Sequence, residues 1–128
     1  MTSRQFVTVD PATMPWEERF NEWVGRTLYR KILFADPETG VMIALVRYPA
    51  GVLNPGHTHP CGHGMYVLEG QLVTHRGVYG PGIFVWFPEG EVMEHGASSE
   101  GDVVALFVTN KMFRIDYVGV PAAGGQPL

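Results

Sequence analysis

The stretch Gly51-Val52-Leu53-Asn54-Pro55-Gly56-His57-Thr58-His59-Pro60-Cys61-Gly62-His63 contains three of the chain's five histidines. In a strand, side chains two positions apart point to the same face and lie roughly 7 Å apart along the backbone. The imidazoles of His57 and His59 can therefore converge on one ion, with metal–nitrogen bonds of about 2 Å. The stretch predicts a metal site, although an HxH pair taken alone is equally compatible with surface histidines in a loop rich in glycine and proline.

The spacing of glycine and histidine extends beyond this stretch and resembles the first motif of the cupin superfamily (RmlC-like proteins), G(x)5HxH(x)3–4E(x)6G. Gly51, His57, His59 and Gly70 stand at the required positions, and His63 stands where the family usually has glutamate. Glycine at such positions suits turns that need a positive φ or a close backbone approach. The resemblance implies a cupin barrel with a metal held by the histidines of this motif.

The second cupin motif, G(x)5PxG(x)2H(x)3N, is matched in its first half by Gly82, Pro88 and Gly90. Its histidine position is occupied by Met93, and the chain offers His95 two residues later without the following asparagine. The resemblance therefore implies His95 as the third metal ligand.

A divalent transition metal is the cofactor that this histidine set implies. We expect His57, His59 and His95 as ligands, and His63 either as a fourth ligand or as a proton donor, acceptor or substrate contact in the pocket. Three neutral imidazoles leave the +2 charge uncompensated, so an anionic bidentate enolate would be attracted to the site. Fe²⁺ is favoured by the resemblance described next, and Zn²⁺, Ni²⁺ and Mn²⁺ are the alternatives.

Within the superfamily, the chain is most similar to small dioxygenases that cleave β-diketones (the acetylacetone-cleaving enzyme) or dihydroxyacetophenones with iron held by three histidines. The similarity covers residues 49–51, the HxH pair, Gly70, residues 113–116, and the group formed by Glu89, His95 and Gly96. It implies a dioxygenase acting on a small diketone or hydroxyketone. Glu89 is the expected catalytic base that forms the enolate, with Glu91 and Glu94 as weaker candidates because they also suit a solvated turn.

Two other functions remain open from the sequence. Residues 36–40 and 45–47 resemble the zinc-holding cupin domain of some anti-sigma factors, which implies a metal or small-molecule sensing module without catalysis. In a third interpretation, a metal-free isomerase or sugar-modifying cupin uses the histidines for acid–base chemistry. Metal content separates the first two functions, and activity after chelation would identify the third.

The fold class follows from composition as well as from the motifs. Sixteen glycines and ten prolines punctuate segments rich in valine, isoleucine and aromatic residues, which predicts short antiparallel strands in a sandwich or barrel. With the resemblance, we expect an all-β, cupin-type double-stranded β-helix (jelly-roll barrel) forming one domain over residues 1–128. Residues 1–27 form an N-terminal arm with a short helix at 15–24, where apolar residues recur at roughly helical spacing, and residues 119–128 form a loose tail.

The expected strands are residues 6–9, 28–35, 41–48, 65–68, 71–76, 83–87, 103–110 and 113–118, with 28–35 and 41–48 paired as a hairpin. Six apolar residues are expected to point inward and line the pocket: Met65, Val67, Phe84, Trp86, Met93 and Phe107. His75, distant from both motifs, is expected to be a solvated or strand-edge residue.

Charge and composition narrow the partners. The formal net charge is −4, and the nine lysines and arginines do not cluster, so we expect a small-molecule substrate and no nucleic acid. No apolar run reaches the length of a membrane span. Cys61 is the only cysteine and is expected to be a spare thiol. We expect a cytoplasmic protein and, by resemblance, a homodimer with the N-terminal strand as the candidate for exchange.

Overall fold

A computed structural model describes residues 5–118, and these residues are almost entirely β-structure. A 3-10 turn at Pro11–Thr13 precedes the strands. The strands are β1 (Glu17–Asn21), β2 (Arg26–Ala35), β3 (Met42–Tyr48), β4 (Leu53–Thr58), β5 (His63–Glu69), β6 (Leu72–Thr74), β7 (Gly77–Tyr79), β8 (Phe84–Phe87), β9 (Met93–Ala97), β10 (Val103–Thr109) and β11 (Asp116–Tyr117). The all-β fold expected from the sequence is confirmed.

The strands form two antiparallel sheets. The first has the order β1-β2-β3-β10-β5-β8, and the second has the order β11-β4-β9-β6-β7. Inner faces alternate with outer ones along each strand, as in β3 and β10, where every second residue is buried. The core between the sheets includes Tyr48, Met65, Phe87 and Phe107. The histidine-bearing strands β4 and β9 are neighbours in the second sheet.

The predicted hairpin is present as β2 and β3, and its loop explains why the chain reverses there. The carboxylate of Asp36 accepts hydrogen bonds from the backbone nitrogen of Glu38 (3.0 Å) and the hydroxyl of Thr39 (2.9 Å). Gly40 then has a φ of 80°, a conformation that other residues rarely adopt. The side chain of Asp36 thus holds a turn that Gly40 completes.

The predictions of a strand at residues 6–9 and a helix at residues 15–24 were wrong. Residues 6–9 form no strand, and Phe6 is 96% exposed. Residues 15–24 are not helical, because residues 17–21 instead pair with β2 over five positions. Phe20 and Trp23 are exposed although their spacing suggested a buried helix face. The exchange of the N-terminal strand in a homodimer stays a prediction.

Other boundaries also differ. The strand predicted at 71–76 is shorter, because the chain turns at His75 and Arg76 between β6 and β7. The strand predicted at 113–118 is reduced to β11. The predicted loose tail lies outside the described residues. Within residues 5–118, no helix is long and apolar enough to cross a membrane.

Candidate metal centre

Four buried histidines lie between the two sheets, and each comes from a different segment of the chain. His57 is in β4, His59 follows the end of that strand, His63 begins β5 and His95 is in β9. All four are at most 2% exposed. The histidines cluster because β4 pairs with β9 in one sheet while the start of β5 approaches from the other.

A register shift in β4 sets which side chains face inward. Asn54 and His57 are both buried although they are three residues apart, and the pairing with β9 shifts between them. A strand without a bulge would send two such side chains to opposite faces. The bulge therefore allows Asn54, His57 and His59 to share one interior.

His95 can replace the histidine expected at position 93 because the two positions lie on the same face of β9. Met93 and His95 are both buried, as the two-residue period of a strand requires. The next residue, Gly96, lies so close to β4 that a Cβ there would overlap the backbone of Val52. The absence of a side chain at Gly96 lets β9 approach β4 and brings His95 beside His57.

His57, His59 and His95 each offer a nitrogen, and these ligand atoms all lie within 4.8 Å of one another. The Nε2 atoms of His57 and His95 are 3.1 Å apart. Two nitrogens that each bind one ion at about 2.0–2.1 Å, in neighbouring positions, are separated by about 3 Å. The three imidazoles thus have the spacing of a ligand set.

The hydrogen bonds of the rings support the same assignment. Nδ1 of His57 donates to the carbonyl oxygen of Pro55 (2.6 Å), and Nδ1 of His59 donates to that of Arg114 (2.7 Å). Each bond leaves Nε2 with a lone pair directed away from the backbone. Nε2 of His59 is buried without a hydrogen-bond partner among the described residues. Such an unpaired buried nitrogen is costly unless an ion occupies it.

Burial lowers the pKa of every histidine in the cluster. For His59 the pKa falls from 6.5 to about 4, mainly because desolvation disfavours the charged ring and secondarily because His57 is adjacent. The pKa of His57 is lowered by desolvation, and those of His63 and His95 are lowered further by desolvation and the neighbouring imidazoles. All four rings are therefore neutral near pH 7, the form that binds metals.

His63 lies beside the three-histidine set but outside its ligand-atom spacing. Its ring stacks on Phe87 at 4.6 Å and meets His59 edge-on at 4.8 Å. Nε2 is 3.2 Å from the sulfur of Met93, and Nδ1 has no hydrogen-bond partner among the described residues. Met93 stands where the second cupin motif has histidine, and His63 stands where the first motif has glutamate. The two residues that replace motif residues therefore contact each other.

A cavity of about 70 Å³ extends from the histidines to strands β1 and β2. A water molecule needs about 10–15 Å³ on this scale, so the cavity holds several waters or a small organic molecule. His59 and His95 line the cavity, and so do Arg19 and Arg30. The apolar part of the wall consists mainly of Leu28, Val46, Phe107, Phe113 and Ile115.

The cavity also contains polar side chains that the sequence analysis did not identify. The amide of Asn21 donates to the hydroxyl of Tyr117 (2.6 Å), which donates to Oδ1 of Asn54 (2.8 Å). Asn21 and Asn54 line the cavity, as does Tyr48, whose ring stacks on His95. The one sequence signal for this group was Asn54, a polar residue within the motif stretch. Asn21 and Tyr117 come from the two ends of the chain.

The structure places the acidic candidates away from the cavity. Glu89 is exposed and pairs with Lys111, and Glu91 pairs with the surface residues His75 and Arg76. Glu94 is exposed, and none of the described residues lining the cavity is acidic. Glu89 is therefore not brought to the histidines, whereas His75 lies at the surface as expected.

The prediction that Phe84 and Trp86 line the pocket was wrong. Phe84 and Trp86 are 57% and 47% exposed because inner and outer positions alternate along β8 in the opposite sense. Met65, Val67, Met93 and Phe107 are buried as predicted, and of these Phe107 lines the cavity.

Cys61 is also buried, and desolvation raises the pKa of its thiol to about 11. The thiol is protonated at neutral pH, so it is a poor nucleophile. This state agrees with the expected spare thiol.

Comparison with known proteins gives a family match. The model of the family described as the ChrR cupin-like domain matches residues 4–114, which is most of the chain. No curated protein matches in sequence.

Solved structures support the fold. A putative acetylacetone dioxygenase from Methylibium petroleiphilum PM1 has a TM-score of 0.75 at 12% identity, covering 100% of this chain and 90% of that one. An RmlC-like cupin from Ralstonia eutropha JMP134 has a TM-score of 0.73 at 21% identity, covering 87% and 71%. The Rhodobacter sphaeroides complex of SigE with the anti-sigma ChrR has a TM-score of 0.62 at 21% identity, covering 76% of this chain and 50% of that one.

Proposed function

Because the chain belongs to the ChrR cupin-like domain family, we propose that it is a metal-dependent cupin that binds a small oxygen-donor ligand at its histidines. The finer proposal is a dioxygenase that cleaves a small diketone or hydroxyketone. The observation that carries the proposal is the set of three neutral imidazoles at ligand spacing, of which His59 and His95 line a cavity and His59 has an unpaired Nε2.

The residues present fit a divalent transition metal. His57, His59 and His95 supply three nitrogens at ligand spacing, and the carbonyls of Pro55 and Arg114 fix two of the rings. When bound, a divalent ion would act as a Lewis acid that holds an anionic, chelating substrate. Fe²⁺ suits the dioxygenase proposal, and Zn²⁺, Ni²⁺ and Mn²⁺ suit the same nitrogen ligands.

His63 is proposed as the fourth nitrogen ligand. Its buried ring contacts that of His59, and its Nδ1 is one of the three unpaired buried nitrogens. If it instead acts as a wall residue, replacing it would leave metal affinity unchanged. Loss of an outer-shell partner of a metal ligand typically lowers metal affinity about 10–100-fold, and we expect the loss of a ligand to lower it by at least as much.

The other cavity residues would orient the ligand and exclude water. Burial raises the pKa of Tyr48, so its hydroxyl stays protonated and is a hydrogen-bond donor near neutral pH. Asn54 uses Oδ1 to accept from Tyr117, which leaves its amide hydrogens for a ligand oxygen. Since no acidic residue among those described lines the cavity, we propose that the substrate enters as its enolate, without proton transfer to Glu89.

Oxygen consumption tests the dioxygenase proposal. Protein loaded anaerobically with Fe²⁺ is mixed with pentane-2,4-dione, related diketones and hydroxyacetophenones in the presence of oxygen. We expect uptake with at least one compound, and no uptake by the His95→Gln variant. Arg76→Gln, a change at the surface, is the matched control that keeps activity. No uptake by the wild-type protein with any compound would refute this proposal.

A second candidate is a sensing module without catalysis. The family match to the ChrR cupin-like domain and the structural likeness to the anti-sigma ChrR favour it. A closed site with four histidine nitrogens suits a zinc ion that performs no reaction. Zinc in the protein as isolated, with no water ligand in its X-ray absorption spectrum, would support this candidate. Iron with open positions would contradict it.

A further inference from the structure

We infer that Asn54 determines specificity by donating an amide hydrogen to the ligand beside the metal. The site then selects ligands that place a hydrogen-free oxygen there and disfavours ligands with an N–H group in the same place. The inference rests on the metal site proposed above and names the ligand class of that site. Two positioning residues, Asn21 and Tyr117, fix the orientation of Asn54 through a chain of hydrogen bonds that starts at the backbone.

The backbone after β1 fixes the amide of Asn21. Its Oδ1 accepts hydrogen bonds from the backbone nitrogens of Trp23 (2.9 Å) and Val24 (3.1 Å). A flipped amide would bring its own N–H groups against these two donors, so Nδ2 points the other way. There it donates to the hydroxyl of Tyr117 (2.6 Å).

Tyr117 passes this orientation on to Asn54. A phenol hydroxyl has one hydrogen, and here its oxygen already accepts from Asn21. The hydrogen therefore goes to Oδ1 of Asn54 (2.8 Å), which is the one acceptor of this hydroxyl among the described residues. If the amide of Asn54 were flipped, the hydroxyl hydrogen would be buried without a partner. Oδ1 of Asn54 is thus occupied, and Nδ2 is the group left for a ligand.

This amide nitrogen faces the cavity beside His95. Asn54 is 2% exposed and lines the cavity. Its Nδ2 has no hydrogen-bond partner among the described residues, and it is not one of the completely enclosed unpaired nitrogens. Asn54 and His95 are directly opposite each other in the pairing of β4 with β9. Their side chains therefore share one face, with Cβ atoms about 4.5–5.5 Å apart, so a ligand bound next to His95 is within reach of the amide.

A donor of fixed orientation defines the ligand class. A carbonyl, enolate or carboxylate oxygen accepts from Nδ2 of Asn54, whereas an N–H group in its place would set two donors against each other. Leaving a buried donor unpaired lowers affinity by about ten-fold or more. The hydroxyl of Tyr48, whose ring stacks on His95, can donate or accept and does not discriminate in this way.

The test compares pyridine-2-carboxylate with pyridine-2-carboxamide. Both chelate a divalent ion through the ring nitrogen and one oxygen, and they differ in the neighbouring group, which is a second oxygen in one and NH₂ in the other. Their dissociation constants are measured by calorimetry on the full chain loaded with Zn²⁺, and Zn²⁺ stoichiometry is measured afterwards to confirm that the ion stays bound. The ratio of the two affinities is compared between variants, because that comparison cancels the difference in chelating strength.

Two variants change the chain of hydrogen bonds. Tyr117→Phe frees the amide of Asn54, so the preference for the carboxylate is expected to fall about ten-fold, through tighter binding of the carboxamide. Asn21→Asp reverses the chain, because a carboxylate at this position accepts from Tyr117, whose oxygen then accepts from Nδ2 of Asn54. Oδ1 of Asn54 then faces the cavity, and we expect the variant to bind the carboxamide more tightly than the wild-type protein does. Neither a loosened fold nor an added negative charge would produce such a gain for a neutral ligand.

Asn110→Asp is the matched control. Asn110 is exposed and does not line the cavity, and its Oδ1 accepts from the backbone nitrogen of Gly62 (3.0 Å), which a carboxylate can also do. We expect this variant to keep the wild-type ratio. Circular dichroism confirms that each variant is folded, and Tyr117→Phe decides alone if Asn21→Asp does not fold.

An unchanged ratio in Tyr117→Phe would overturn the inference, as would a folded Asn21→Asp variant that binds the carboxamide no more tightly than the wild-type protein. Absence of binding by both probes would also overturn it. These results leave the metal site standing if Zn²⁺ still binds one-to-one. Failure of the wild-type protein to bind Zn²⁺ would instead overturn the proposed function itself.

Discussion

Acidification of the metal-free protein is expected to reduce its free energy of unfolding, because the buried histidines resist protonation while the unfolded chain accepts it. The pKa of His59 is about 4 in the folded protein and 6.5 without burial. Between these values the unfolded state binds more protons, so stability falls as the pH falls. The decline begins near pH 6.5 and continues to about pH 4.

The size of the effect follows from the same shift. One pKa unit corresponds to about 1.4 kcal/mol, so His59 alone removes about 2 kcal/mol by pH 5 and about 3 kcal/mol by pH 4. His57, His63 and His95 have pKa values lowered in the same direction and add to this loss. A domain with a total stability of about 5–15 kcal/mol loses a large share of it.

Urea unfolding followed by circular dichroism, in the presence of a chelator, measures this dependence between pH 7.5 and pH 5. His59→Gln removes one of the titrating rings and is expected to weaken the dependence by about 2 kcal/mol over this range. His75→Gln, at the surface, controls for the replacement of a histidine. A free energy of unfolding that stays constant or rises on acidification would refute the assignment of buried, neutral imidazoles.

Other substitutions test the parts of the fold that position the site. Tyr117→Phe removes the hydroxyl between two buried amides and is expected to cost about 1–3 kcal/mol in urea unfolding while Zn²⁺ stoichiometry is retained; loss of Zn²⁺ binding would contradict this. Gly70→Ala is expected to lower the free energy of unfolding by about 3 kcal/mol or more, because φ is 75° and a Cβ would overlap the carbonyl of Asp102. Gly51→Ala, with a φ of 77° and open space around it, is expected to lower the same quantity by about 1 kcal/mol. Equal losses would show that the overlap at Gly70 is relieved. The expected homodimer is proposed to bury the exposed aromatic face of β8, so Trp86→Lys is expected to give monomers in analytical ultracentrifugation; an unchanged mass would place the interface elsewhere.

The central strands were predictable because local sequence and burial agree there. In β3 and β10, buried residues alternate regularly, and the loop at Asp36–Gly40 has its own side-chain hydrogen bonds. The histidine pair was predictable for the same reason, since its spacing already fits a strand. His95 was predictable from its motif despite the two-residue displacement, because that displacement preserves the face of β9.

The N-terminal arm was not predictable from periodicity. Phe20 and Trp23 contribute to a helical pattern, but β2 offers an unpaired edge, and pairing with it determines the conformation of residues 17–21. The polar group in the cavity was hidden for another reason. Asn21 and Tyr117 are 96 residues apart, and their contact exists only after both sheets have formed.

The position of the acidic residues shows the limit of transferring a motif. Glu89 has the sequence spacing to His95 that the resemblance requires, but it is exposed and paired with Lys111. Likewise Phe84 and Trp86 lie in the predicted strand with the opposite facing, because shifting a strand by one residue exchanges its two faces. Spacing along a strand determines which residues share a face of the sheet, but it does not determine which face points inward.

The most direct test of the account is the metal stoichiometry of the purified chain after loading and removal of free ions. We expect one divalent ion per chain in the wild-type protein, with histidine nitrogens as ligands in X-ray absorption spectra, and none in a variant with glutamine at His57, His59 and His95. A folded wild-type protein that retains no ion, or a triple variant that retains as much as the wild-type protein, would contradict the central claim.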